Sequence, residues 1–125
     1  MAGSDKKLLG SWGERLAAEY MRKKGYKLIG LNYRCRFGEI DVISEDRKYV
    51  VFVEVKLRKS AAFAEAREFV TASKQEKLIA AAQMWMQQNP TNKQPRFDVV
   101  EIYAPQGIAT EKPEINHIEN AFSQE

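Results

Sequence analysis

The segment Tyr49–Arg58 constrains the fold more than any other part of the chain, because it is the richest in β-branched and aromatic residues. An apolar run of this kind predicts a central strand that is covered on both faces of a sheet. Two charged residues, Glu54 and Lys56, interrupt the run. Side chains alternate along a strand, so both charges are predicted to lie on one face and Val53 and Val55 on the other.

The remaining chain predicts an α-β-β-β-α-β order. Apolar residues at helical spacing predict one helix over 9–24, and a capping box at Ser73 opens a second helix that ends at about residue 88. Strands are predicted over 27–34, 38–43, 49–58 and 96–103, with a turn over 44–48, a loop over 59–70 that holds at most a helical turn, and a short strand over 115–118. A strand meander followed by a helical crossover predicts an α/β fold with a mixed sheet flanked by helices. The 125 residues predict one domain over 1–125, with its core over about 8–104 and a weakly patterned tail.

Composition excludes several kinds of site. A single cysteine, Cys35, and a single histidine, His117, rule out a disulfide framework, a thiolate zinc site and a paired-histidine zinc site. We expect both residues to be structural.

No apolar run approaches the roughly 18 residues that span a bilayer, and no secretory apolar region follows the first charges, so we expect a cytoplasmic protein with no membrane partner. The net charge of +3 permits a polyanionic partner without requiring one.

Asp41 supplies a second carboxylate with matching face parity. If strands 38–43 and 49–58 pair antiparallel with Asp41 facing Glu54, the same register pairs Ile43 with Phe52 and places the turn near residues 47–48. Opposed Cβ atoms then lie about 4.5–5.5 Å apart. Two carboxylates at that separation repel each other unless they are protonated or neutralised.

A hard divalent cation would neutralise this pair. Mg²⁺ takes one or two carboxylates and keeps several waters, so Asp41, Glu54 and the carbonyl of Val55 suffice as ligands. Lys56 would then lie beside a metal-bound water, where its charge can lower the pKa of that water or stabilise charge that grows on a phosphate. The alternative is that Glu54 and Lys56 only form a solvated strand face, and the pattern alone leaves both interpretations open.

Two helical residues point toward the same place. Glu14 lies at the border of the first apolar arc among small residues (Gly10, Ala17 and Ala18), which would let the helix approach the sheet and direct Glu14 at the carboxylates. The alternative is an ordinary boundary glutamate. Lys74 begins an inward stripe on the second helix, where it could reach a phosphate or extend into solvent.

Basic residues bracket the two central strands and could neutralise a nucleic-acid backbone. They are Arg34, Arg36, Arg47, Lys48, Arg58 and Lys59. Such charges at strand ends also serve solvation and edge protection, which is the alternative interpretation. Arg96 and Asp98 share a strand face, and the pattern suggests a local ion pair.

Several short motifs together resemble the YraN-type family of small bacterial proteins over residues 8–104. The motifs are Gly13-Glu14, Asn32-Tyr33-Arg34, Gly38-Glu39-Ile40-Asp41, Phe52-Val53-Glu54-Val55-Lys56 with Arg58, and Arg96-Phe97-Asp98. That family is similar to the PD-(D/E)XK nuclease superfamily, and more particularly to archaeal Holliday-junction resolvases. The resemblance implies a restriction-endonuclease-like fold in which Asp41 matches the motif's aspartate, Glu54 and Lys56 its E-x-K, and Glu14 a helix-borne glutamate.

Together, the pattern and the resemblance predict an endonuclease that uses Mg²⁺ or Mn²⁺ to hydrolyse phosphodiester bonds in structured or branched DNA. The predicted catalytic residues are Glu14, Asp41, Glu54 and Lys56, and the predicted nucleic-acid contacts are Arg34, Arg36, Arg58 and Lys74. Symmetric cleavage of a junction would require a homodimer. One alternative is a catalytically inactive module that binds nucleic acid or a protein partner on the same fold. Another is a structural adaptor that binds neither metal nor nucleic acid.

Overall fold

A computed structural model describes residues 2–59 and 70–123, with side chains described from residue 7 onward. The elements are α1 (Ala2–Lys23), β1 (Lys27–Cys35), β2 (Gly38–Glu45), β3 (Tyr49–Arg58), α2 (Ala72–Gln88), β4 (Gln94–Tyr103), a 3₁₀ turn (Gly107–Ala109) and β5 (Glu114–Phe122). Most of the loop predicted over 59–70 lies outside the described residues. Within the described part of the chain, neither helix is both long and apolar enough to cross a membrane.

The strands form one five-stranded mixed sheet in the order β1-β2-β3-β4-β5. Strands β3 and β4 are parallel, whereas the other neighbours are antiparallel. This arrangement confirms the predicted α/β class and the central place of β3, and it is consistent with a restriction-endonuclease-like fold. The predicted pairing of Ile43 with Phe52 is also confirmed.

Each helix covers one face of the sheet. Ala17 and Met21 of α1 pack with Val53, whereas Leu78 of α2 packs with Phe52 on the opposite face. Both faces of β3 are therefore buried, which is why its sequence is nearly continuous in apolar residues. Burying each large apolar side chain contributes about 1.5–3 kcal/mol.

The boundaries of both helices differ from the prediction. Helix α1 begins at residue 2 rather than 9. The N-cap of α2 is Thr71, whose Oγ1 accepts a hydrogen bond from the Lys74 backbone N–H at 3.2 Å. The capping box predicted at Ser73 is therefore wrong by two residues. Either hydroxyl suits a cap, and Thr71 holds the extended backbone that an N-cap needs.

The last two strands are longer than the sequence predicts. Strand β4 begins at Gln94, so Pro95 lies within the strand rather than before it. Strand β5 runs over nine residues along β4 rather than over 115–118. It is an edge strand with many exposed positions, and such a strand lacks the strong apolar pattern of a central one.

Candidate active site at the fork between two strands

Strands β2 and β3 separate at one end and leave a fork. Their ladder ends at the pair Val42–Val53, while β3 continues beside β4 as far as Arg58. Asp41 is the first residue beyond the last pair, and its Oδ2 accepts a hydrogen bond from the Val55 backbone N–H at 2.8 Å. A side-chain carboxylate thus takes the place of a ladder carbonyl at the point where the strands diverge.

Glu54 lies beside this fork and is paired with two lysines. Its side chain is 6% exposed, and its Oε2 is 3.5 Å from Nζ of Lys56 and 3.5 Å from Nζ of Lys74. The predicted sharing of one face by Glu54 and Lys56 agrees with these contacts, because Val53, Val55 and Leu57 pack in the α1-side core. Lys74 extends toward the carboxylates.

The carboxylates influence one another. The pKa of Asp41 is raised to about 7, first by burial and then by the negative charge of Glu54. The hydrogen bond from Val55 lowers this pKa, the charge of Glu14 raises it and the charge of Lys74 lowers it. Glu14, from the helix, therefore acts on the same site as the two strand carboxylates.

Small residues bring α1 close to the sheet, but Gly10, one of the three predicted to do so, is not among them, because a Cβ atom there would meet nothing within 4 Å. A Cβ atom on Gly13 would lie 3.1 Å from the side chain of Leu57, and Ala17 and Ala18 are buried. Next to this contact, Glu14 Oε1 accepts a hydrogen bond from Asn32 Nδ2 at 2.7 Å. Asn32 belongs to the Asn32-Tyr33-Arg34 motif, but no role for it is predicted from the sequence. The available signal was an asparagine in a strand, since asparagine tolerates left-handed backbone.

The oxygen donors at the fork would suit Mg²⁺ or Mn²⁺, which need few protein ligands, rather than a metal that needs a closed cage of side chains. Within residues 2–59 and 70–123, no three acidic, histidine or cysteine side chains are grouped closely enough to enclose an ion. Two carboxylates, Asp41 and Glu54, with the carbonyl of Val55, match the few protein oxygens that Mg²⁺ takes while keeping its waters.

The structure separates the predicted basic residues. Arg34 lines a groove of about 570 Å³ together with Glu14, and Arg36 is exposed over the ring of Phe37. Arg58 is mostly buried: its side chain is 11% exposed, and its Nη2 lies 3.3 Å from Glu101 Oε2.

The turn between β2 and β3 does not belong to the fork. Arg47 and Lys48 are exposed there, at the opposite end of β3 from the fork. The rise of about 3.3 Å per residue along a strand puts Lys48 about 20 Å from Glu54. These two basic residues therefore cannot contact the same phosphate as Lys56.

A second charged cluster is buried on the α1 side. Arg96 binds Asp98 through two hydrogen bonds of 2.9 and 2.7 Å, which confirms the predicted ion pair. Nε2 of His117 lies 2.7 Å from Asp98 Oδ2, and the Asn120 N–H donates to Oδ1 at 3.0 Å. The carboxylate of Asp98 is therefore surrounded by donors inside the fold, and its pKa is held below the ordinary value by these bonds although burial alone would raise it.

Fold and site together define a small α/β protein with carboxylates and a lysine at a fork in a mixed sheet. The chain belongs to the Uncharacterised protein family UPF0102, whose sequence signature matches residues 13–102. A UPF0102 protein of Caldanaerobacter subterraneus is 45% identical over 120 residues, covering 94% of this chain and 97% of that protein. One from Syntrophomonas wolfei is 45% identical over 115 residues, covering 91% and 96%, and one from Nocardia farcinica is 38% identical over 119, covering 94% and 91%. The match confirms the YraN-type resemblance.

Proposed function

We propose that this protein is an endonuclease that hydrolyses phosphodiester bonds in structured or branched DNA with the help of Mg²⁺ or Mn²⁺. The observation that carries the proposal is the convergence of Asp41, Glu54 and Glu14 with Lys56 at the fork. Binding to a polyanion does not need carboxylates that face it, whereas metal-assisted phosphodiester hydrolysis does.

The residues at the fork would have different roles in the reaction. Asp41, Glu54 and the carbonyl of Val55 would hold the cation, which polarises the phosphate and lowers the pKa of water. Lys56 has a side chain that is 31% exposed, so its ammonium can turn from Glu54 toward a phosphate oxygen. It would then stabilise the negative charge that develops as the bond to phosphorus forms.

The two lysines balance the negative charge of Glu54 before substrate binds. The Nζ atoms of Lys56 and Lys74 both lie 3.5 Å from Glu54 Oε2. A lysine ammonium is a point charge on a flexible side chain, unlike the rigid planar guanidinium of arginine. A cation bound by Glu54 would release both ammonium groups toward the DNA backbone. Lys74, whose side chain is 44% exposed, is suited to contact a phosphate beside the scissile one.

A protein that contacts mainly the phosphate backbone of DNA would select its substrate by shape rather than by sequence. Arg34 and Arg36 are exposed on β1 and on the turn that follows it. Contacts of arginine and lysine with phosphates fix the position of the nucleic acid but carry no sequence information. We therefore propose that the protein distinguishes branched or distorted DNA from a regular duplex by the path of its backbone.

A specific observation also favours the second candidate, a binding module without catalysis. Glu54 is already neutralised within the protein by Lys56 and Lys74, as expected if the charges only stabilise this face. That function predicts DNA binding that needs no divalent cation and gives no cleavage.

A cleavage assay separates the two functions. Junction, flap, single-stranded and duplex DNA, together with an RNA duplex, are incubated with Mg²⁺, Mn²⁺ or EDTA. We expect cation-dependent cleavage of branched DNA that Glu54→Gln abolishes. The matched control is Glu76→Gln, the same change at an exposed position of α2, which should cleave as the wild type does. Binding without cleavage under every condition would reject the nuclease and support the binding module.

A further inference from the structure

Asn32 has an unusual backbone for a residue within a strand. Its φ is 54°, in the left-handed region that residues other than glycine rarely adopt. It lies in the middle of β1, between the pairs Leu31–Val42 and Tyr33–Ile40. The register is continuous from Gly30 to Cys35, and its shift lies farther away, between Leu28 and Gly30. Asn32 therefore lies opposite Asp41 of the candidate site.

The strand opposite Asn32 is irregular at the same place. Ile40 packs in the α2-side core, whereas Val42 packs in the α1-side core. Residues two apart in a regular strand share a face, so β2 reverses its faces at Asp41. The irregularity of β2 therefore coincides with the residue that enters the fork. It lies opposite the left-handed backbone of Asn32, and left-handed backbone at residues other than glycine is concentrated at functional sites.

The side chain of Asn32 is directed at a carboxylate of the site. Its Nδ2 donates to Glu14 Oε1 at 2.7 Å, which links β1 to α1 through two residues that are 18 apart in sequence. An amide orients a carboxylate without neutralising it, whereas a lysine or arginine would cancel its charge. Both residues line the groove of about 570 Å³ together with Arg34, so substrate can reach them.

We propose that Asn32 is a positioning residue that holds Glu14 at the fork, where Glu14 acts as the third carboxylate of the reaction. This inference rests on the proposed nuclease function and names a residue that controls it. The left-handed backbone directs the amide at α1, and the hydrogen bond fixes the Glu14 carboxylate while keeping its negative charge for the attacking water.

The test compares Asn32→Gly with a matched change, Asn120→Gly. Asn120 also has positive φ, 51°, and its contact with Asp98 uses the backbone N–H, which glycine keeps. Glycine tolerates this backbone at both positions, so both variants should fold. We expect N32G to lower kcat about 10- to 100-fold, as changes to residues that orient ligands do, with KM within about twofold. N120G should retain wild-type kcat.

A double variant separates positioning from simple stabilisation. Combining N32D with E14Q reverses the roles of donor and acceptor and restores the hydrogen bond, so the melting temperature lost in N32D should return. Activity should not return, because the carboxylate is then on the wrong element. Recovery of full activity in the double variant, or wild-type kcat in N32G, would overturn the positioning role. A wild-type protein that cleaves no substrate would instead reject the proposed function itself.

Discussion

Replacing Asp41 with asparagine tests whether this carboxylate is buried against another negative charge. Asparagine has the same shape and still offers an oxygen to the Val55 N–H, which Asp41 Oδ2 accepts at 2.8 Å. The substitution therefore removes the charge and keeps the contact. We expect Asp41→Asn to be more stable than the wild type at high pH in the absence of divalent cations.

The magnitude follows from the pKa of Asp41, which is raised from 3.8 to about 7 by burial and by Glu54. A pKa raised in the folded state favours the protonated form, so the corresponding stability is fully present below pH 3.8 and is lost as the pH rises through 7. At 1.36 kcal/mol for each pKa unit, the loss is at most about 4 kcal/mol. The advantage of the variant should thus be near zero at pH 4 and reach about 2–4 kcal/mol at pH 8.

Urea unfolding in EDTA at several pH values between 4 and 8 measures this difference. Asp46→Asn serves as a control of opposite sign, because two backbone N–H groups hold the pKa of Asp46 below its ordinary value although burial raises it. That variant should be less stable than the wild type at pH 8. If the difference between Asp41→Asn and the wild type is the same at pH 4 and pH 8, Asp41 does not experience the burial and the charge of Glu54 described above.

Further predictions concern the metal, the chemistry, the nucleic acid and the fold. Calorimetry should detect Mn²⁺ binding by the wild type and none by Glu54→Gln; unchanged affinity in the variant would remove Glu54 from the metal site. Lys56→Ala should lower kcat at least 100-fold, about 2.7 kcal/mol, with Mn²⁺ affinity nearly unchanged, and wild-type turnover would make Lys56 a solvated strand charge. Arg34→Ala should reduce the slope of log affinity against log salt by about one, as one lost phosphate contact does; an unchanged slope would place the backbone elsewhere. Asp98→Ala should cost about 3–5 kcal/mol in urea unfolding because it leaves the buried Arg96 without its closest carboxylate, and a loss below 1 kcal/mol would contradict this.

The central part of the fold could be predicted because it depends on local periodicity. The bounds of β3 match the predicted 49–58, since a strand buried on both faces needs a run of apolar residues that few other structures need. The register of β2 on β3 was predicted from a supposed pairing of Asp41 with Glu54, because one pair fixes all the others in a regular ladder. The strands keep that register, although their ladder ends one pair earlier, at Val42–Val53. The pairing of Ile43 with Phe52 is the result.

Contacts between distant segments were decided only by the tertiary structure. Arg58 has the sequence context of a surface cation, yet it is held by Glu101, 43 residues away. The contact of Asn32 with Glu14 likewise depends on how closely α1 approaches β1. Periodicity encodes which face a side chain takes within its own element. It carries no information on which distant residue lies opposite that face, and this is decided when the helix and the strands pack together.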